Sequence, residues 1–87
     1  SGVYQFPLFH DVERMEEYLK SSYAEVLLLG EEYEKKVIQE ACAGQKIVLS
    51  GDPDGKNICG YPSVFRYQSA DKIIGAIKKI LKKVEKW

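Results

Sequence analysis

Two uninterrupted apolar runs, Glu25–Leu29 (EVLLL) and Lys46–Ser50 (KIVLS), constrain this 87-residue chain more than any other feature. A strand with one wet face alternates apolar and polar residues, whereas a run without alternation is covered on both faces. Between the two runs lies a stretch of helical length, Glu31 to Ala43. Strands joined by a helix run parallel, so the pattern predicts an α/β sheet with helices on both sides.

The flanking segments extend this unit in both directions. Val3–Phe9 (VYQFPLF) has strand composition, with Pro7 placing it at an edge or a strand end. His10-Asp11 opens a helix that Asp11 caps, with Val12, Met15, Tyr18 and Leu19 turned inward. In the second helix Tyr33, Val37, Ile38 and Ala41 face the sheet, and Gly44 is placed to stop it. Residues 51–60 (GDPDGKNICG) are dense in turn formers. Val64, Phe65 and Tyr67 then read as a short strand. Ser69 caps a final helix whose Ile73, Ile74, Ile77, Ile80, Leu81, Val84 and Trp87 form an apolar stripe. Lys78, Lys79, Lys82, Lys83 and Lys86 occupy its other side.

The predicted order is β-α-β-α-β-loop-β-α, a single domain with a mostly parallel four-stranded sheet. About ten residues join the last two strands, the lower limit for a parallel crossover, so an antiparallel last strand stays open.

Composition narrows the function classes. With 45% hydrophobic and 30% charged residues the chain is an ordinary globular one. It holds no apolar run near the roughly 18 residues of a membrane span. No basic region followed by an apolar core marks a signal peptide, so a cytoplasmic protein is expected. Formal charge is zero but unevenly placed. Residues 1–44 carry nine acidic against four basic side chains, and residues 45–87 carry four acidic against nine basic. Such a dipolar surface favours charge-complementary association. Cys42 and Cys59 fit no CxxC or zinc spacing; spacing leaves a bridge between them open, and two free thiols are the expectation for a reducing compartment.

Candidate chemistry is sparse. GDPDGK has three residues between its glycines and Asn57 after the lysine, so it is not a P-loop. Asp52 and Asp54 lack the bidentate glutamate of an EF-hand loop and read as turn residues. Cys59, in Cys59-Gly60-Tyr61-Pro62, is the candidate nucleophile of an alternative reading, a small phosphocarrier or thiol enzyme. His10 has no Ser or Cys partner beside it. The lysine-rich helix lacks arginine and interleaved aromatics, so no nucleic-acid partner is expected. No catalytic constellation, metal site or cofactor site is read.

A resemblance rests on residues rather than on periodicity. FHDVERMEEYLK, AEVLLLGEE, KIVLSGD and YPSVFRYQSADKII, in this order, resemble the receiver-like N-terminal domains of MinD/ParA-type ATPases, including those of Flp/Tad pilus assembly. The specific part is Phe65-Arg66-Tyr67-Gln68-Ser69-Ala70-Asp71-Lys72-Ile73-Ile74, which matches the segment closing those domains. The resemblance implies a small flavodoxin-like, receiver-like three-layer fold, cut from a longer protein and lacking the usual first strand and helix. Gly30 would stand where a receiver carries its phospho-accepting aspartate, Ser50 would keep the hydroxyl position and Arg66 would replace the switch lysine. Without the aspartate and an acidic pair, phosphoryl transfer would be lost, while Glu31 and Glu32 would add negative charge near the vacated position. The Val3–Phe9 strand would then pair directly with Val26–Leu29, or another chain would fill the gap. The implied role is a non-catalytic module that localises or dimerises a fused ATPase. Its implied contact surface is Arg66, Tyr67, Gln68, Asp71, Lys72 and Lys79, and its partners are proteins, a second copy among them.

Overall fold

A computed structural model of the chain describes residue 9 and residues 11–85, with residues 84 and 85 described in backbone alone. The elements are α1 (Val12–Ser21), β1 (Val26–Gly30), α2 (Lys35–Glu40), β2 (Gln45–Ser50), β3 (Ser63–Phe65) and α3 (Ala70–Glu85). Among the described residues the sheet has three strands in the order β1-β2-β3. Both pairings are parallel, with Leu28 opposite Ile47 and Leu49 opposite Val64. The protein is thus a small α/β domain whose parallel strands alternate with helices. Of the fourth strand expected at Val3–Phe9, and of His10, only Phe9 is among the described residues, and it lies outside any strand.

The unbroken apolar runs do what their pattern requires. Leu27, Leu29 and Val48 point to one side, where they pack with Met15 of α1 and Ile38 of α2. Leu28, Ile47, Leu49 and Val64 point to the other, against Ile77 of α3. Leu27, Leu29, Ile47, Val48 and Ile77 are wholly removed from water. Each such side chain contributes about 2 kcal/mol of burial free energy. Around Ile77, the half-buried Ile73, Ile80 and Leu81 pack as the stripe predicts, while the side chains of Val84 and Trp87, which the stripe also included, and Lys86 of its other side lie outside the described residues.

Both long helices begin as their sequences indicate. The Asp11 carboxylate accepts from the Glu13 amide at 2.9 Å, and the Ser69 hydroxyl accepts from the Lys72 amide at 3.3 Å. The second helix departs from expectation. It covers Lys35–Glu40 rather than residues 31–43. The Tyr33 amide donates to the Gly30 carbonyl at 3.2 Å, which turns residues 30–33 before a helix begins. At the other end Ala41 already has an extended backbone.

Lys46 caps that early end. It lies in β2 on the α2 side, is 8% exposed, and opposes Leu27. Its ammonium donates to the carbonyls of Ile38 at 2.9 Å and Gln39 at 3.0 Å, satisfying the orphan acceptors at the end of α2. The same ammonium stands 4.4 Å from the centre of the Tyr61 ring. One buried cation therefore ties α2 and the loop before β3 to the central strand.

That loop replaces a helix in the last crossover. Asp52 accepts from the Asp54 amide at 2.9 Å, and Gly55 has φ +67°. Ile58 and Tyr61 then exchange backbone hydrogen bonds around Cys59 (φ +53°) and Gly60 (φ +84°). Positive φ at both central residues marks a tight hairpin turn of the primed type. Ile58, Cys59 and Tyr61 pack on the α1/α2 side of the core. The segment covers the sheet without helical hydrogen bonds, and the last strand is parallel although its connection is short.

Replacing Lys46 with alanine leaves the buried Ile38 carbonyl and the part-buried Gln39 carbonyl without this donor and removes the contact with Tyr61. The expected cost is about 2 kcal/mol, read as a lower urea midpoint at unchanged slope.

Candidate functional site

In parallel α/β sheets, ligand and switch sites gather at the carboxyl ends of the strands, where loops leave for opposite faces. Gly30, Ser50 and Phe65 end the three strands here, and Arg66 follows Phe65 directly. The backbone ladder continues past the strand ends. The Glu31 amide donates to Leu49 at 3.0 Å and the Arg66 amide to Ser50 at 2.8 Å. Gly30, Ser50 and Arg66, the positions that the receiver resemblance singles out, are thereby brought to one edge.

Two glutamates close this edge. Ser50 donates its hydroxyl to Glu31 at 3.1 Å, and the same carboxylate accepts from the Gly51 amide at 2.8 Å. The Ser50 oxygen also accepts from the Asp52 amide at 3.0 Å and is buried. The hydroxyl thereby links the end of β2 to Glu31 and to the start of the following loop. Glu32 forms an ion pair with Arg66 at 2.8 Å. A β-carbon at Gly30 would lie 1.4 Å from the Glu32 carboxylate, so the space above the end of β1 belongs to Glu32. Donating this hydrogen bond to Glu32 raises the Arg66 pKa above its ordinary value, against an opposing desolvation.

Beyond the ion pair the surface is aromatic. Tyr67 lies outside the strand in which its sequence pattern places it, because β3 ends at Phe65. It is 72% exposed, meets the Phe65 ring edge-on at 5.8 Å, and has the Arg66 guanidinium 5.9 Å from its centre. Gln68 turns back and donates to the Phe65 carbonyl at 2.6 Å. Asp71, Lys72 and Lys79 are exposed on α3. The expected contact residues thus form two groups, an edge cluster of Arg66, Tyr67 and Gln68 and a set of charges along the helix.

Below the edge, Tyr33 is half-buried and its hydroxyl donates to the Phe9 carbonyl. Burial raises its pKa first, with the charges of Glu32 and Asp11 adding to the effect. Cys59 is half-buried in its turn, and Cys42 is exposed after α2. Among the described residues no three His, Cys, Asp or Glu side chains assemble as a metal site. No described helix is long and apolar enough to cross a membrane.

Sequence reasoning set Glu31 and Glu32 beside Gly30 as added negative charge but did not foresee their bonds to Ser50, Gly51 and Arg66. Glu31 and Glu32 read as the acidic first turn of a helix, and only the short α2 frees them for the edge. Lys46 was also missed as a structural residue, although a lone lysine opening an apolar run is a signal for it. No family model, curated protein or solved structure matches the chain significantly.

Two glycines separate flexible from rigid neighbours. Gly30→Ala displaces only the Glu32 carboxylate and should cost less than about 1 kcal/mol, the worth of an exposed ion pair. Gly44→Ala brings its β-carbon to 2.7 Å from the Glu25 carbonyl, which is backbone and does not swing aside. Thermal unfolding should show a cost of about 2 kcal/mol for this second variant.

Tyr33 makes an alkaline prediction. Its pKa is raised on folding, so the native state keeps a proton that the unfolded chain loses above about pH 10. The associated stability is complete below that pH and is lost as pH rises through the folded value. Absorbance titration should show one late-ionising tyrosine, absent in Tyr33→Phe.

Proposed function

We propose that this domain is a non-catalytic, receiver-like protein-interaction module that localises or dimerises a MinD/ParA-type ATPase to which it is fused, in a cytoplasmic polar process such as pilus assembly. The observation that supports this most is the state of the strand-end edge. Where a receiver would hold its phospho-accepting aspartate stands Gly30, and the space above it is taken by a glutamate engaged with Arg66. Ser50 is committed to Glu31 and Asp52. The edge is bonded to itself through Glu31 and Glu32, and it presents Arg66 and exposed Tyr67 side by side. Tyrosine and arginine are the residue types that most often carry binding energy at interfaces. The proposed contact surface is Arg66, Tyr67, Gln68, Asp71, Lys72 and Lys79.

Two measurements test the reading. After incubation with acetyl phosphate and Mg²⁺, the intact mass should stay unchanged. A phosphoryl adduct on Cys59 would instead support the phosphocarrier or thiol-enzyme reading and end this one. The double variant Arg66→Ala, Tyr67→Ala should melt close to the parent, since Tyr67 is exposed and the Glu32 pair contributes little. In the full-length ATPase it should lower self-association or partner affinity at least tenfold, the loss expected for hot-spot side chains.

A further inference from the structure

The charge asymmetry of the sequence becomes spatial in the fold. α1 and α2 pack on one side of the sheet and α3 on the other. On its solvent side α3 exposes Lys72, Lys79, Lys82 and Lys83, with Asp71 the acidic exception in its first turn. The outer side of α1 exposes Glu13, Glu16 and Glu17, with Lys20 among them and Arg14 on the flank; of α2, Glu40 stands alongside, while Lys35 and Lys36 are exposed at its start, so the acidic character belongs to α1 and not to the whole layer.

Two adjoining depressions mark this acidic face and share Glu16 and Lys20. One, of about 260 Å³, has an apolar floor of Met15, Leu19, Val37 and Ala41 beneath Glu16 and Glu40. The other, of about 370 Å³, is bordered by Glu13, Glu16, Glu17 and Lys20. The molecule measures 29 × 28 × 27 Å, well beyond the Debye length of about 8 Å at physiological salt. The lysine face of α3 and the acidic outer face of α1 therefore do not neutralise one another within one molecule.

We propose that the lysine face of α3 docks on the acidic face of α1 of a second copy, head to tail. This rests on the interaction-module reading and names the partner of its helical part. Lysine fits both halves of the acceptor surface, because its methylene stem lies on an apolar floor while its ammonium reaches the carboxylate rim. The donor and acceptor faces lie on opposite sides of the sheet, so the contact is heterologous. Repetition then extends an assembly instead of closing a dimer.

Sedimentation velocity of the whole chain between about 20 mM and about 300 mM NaCl tests the proposal, because contacts between exposed charges weaken with screening. The expected result is concentration-dependent species larger than a dimer at low salt, weakened tenfold or more at high salt. The triple variant Lys79→Glu, Lys82→Glu, Lys83→Glu should be monomeric, and so should Glu13→Lys, Glu16→Lys, Glu17→Lys. An equimolar mixture of the two should assemble again, because each supplies the charge that the other has lost. All six positions are exposed, and circular dichroism verifies that both variants stay folded. Monomers at every salt concentration, or a mixture that fails to assemble, would overturn the proposal. A salt-insensitive dimer that Tyr67→Ala dissociates would overturn it too, while leaving the interaction-module reading in place.

Discussion

Everything in this domain hangs on the burial of β2 from both sides. It is the only described strand with a partner along each edge. Its alternate residues reach both cores, Val48 toward α1 and α2 and Ile47 and Leu49 toward α3. A parallel strand in this position has no solvent face, so each residue must match its surroundings in shape and hydrogen bonding. Lys46 meets that demand in an unexpected way. A cation inside the domain is tolerated because its ammonium finds two carbonyls and an aromatic face. Those carbonyls belong to a helix of six residues, too short to be stable alone. The short helix and the buried lysine therefore depend on each other.

At the far end of the same strand, Ser50 and Gly51 meet Glu31, and Arg66 meets Glu32. The short α2 is what makes these contacts available. Had the helix begun at Glu31, both carboxylates would have projected around its first turn. Because residues 30–33 form a turn, the two side chains lie over the strand ends instead. The edge is held by hydrogen bonds of ordinary length and by an ion pair that is partly in water, an arrangement that orders a surface more than it stabilises a fold.

Much was legible in the residues. The runs VLLL and IVL indicated buried parallel strands because only a doubly covered strand dispenses with alternation. Asp11 and Ser69 announced helix starts through their side-chain oxygens, and the isoleucine stripe of α3 identified its inward face. Tyr67 shows the limit of such pattern reading. An aromatic residue two positions after Phe65 suits a strand, yet the pairing with β2 ends at Phe65 because β2 itself ends at Ser50. Strand length is set by the partner, and a local sequence does not contain it.

The sequence alone determined the alternation of elements, the helix caps, the two apolar faces and the separation of acidic and basic halves. These follow from spacing and from side-chain chemistry that acts over a few residues. Only the tertiary structure decided that α2 is short, that the last strand is parallel, that Lys46 is interior, and that Glu31 and Glu32 bridge to Ser50 and Arg66. Each depends on groups 7 to 34 residues apart. Their meeting is governed by how the sheet brings strand ends together, and no local preference encodes that distance.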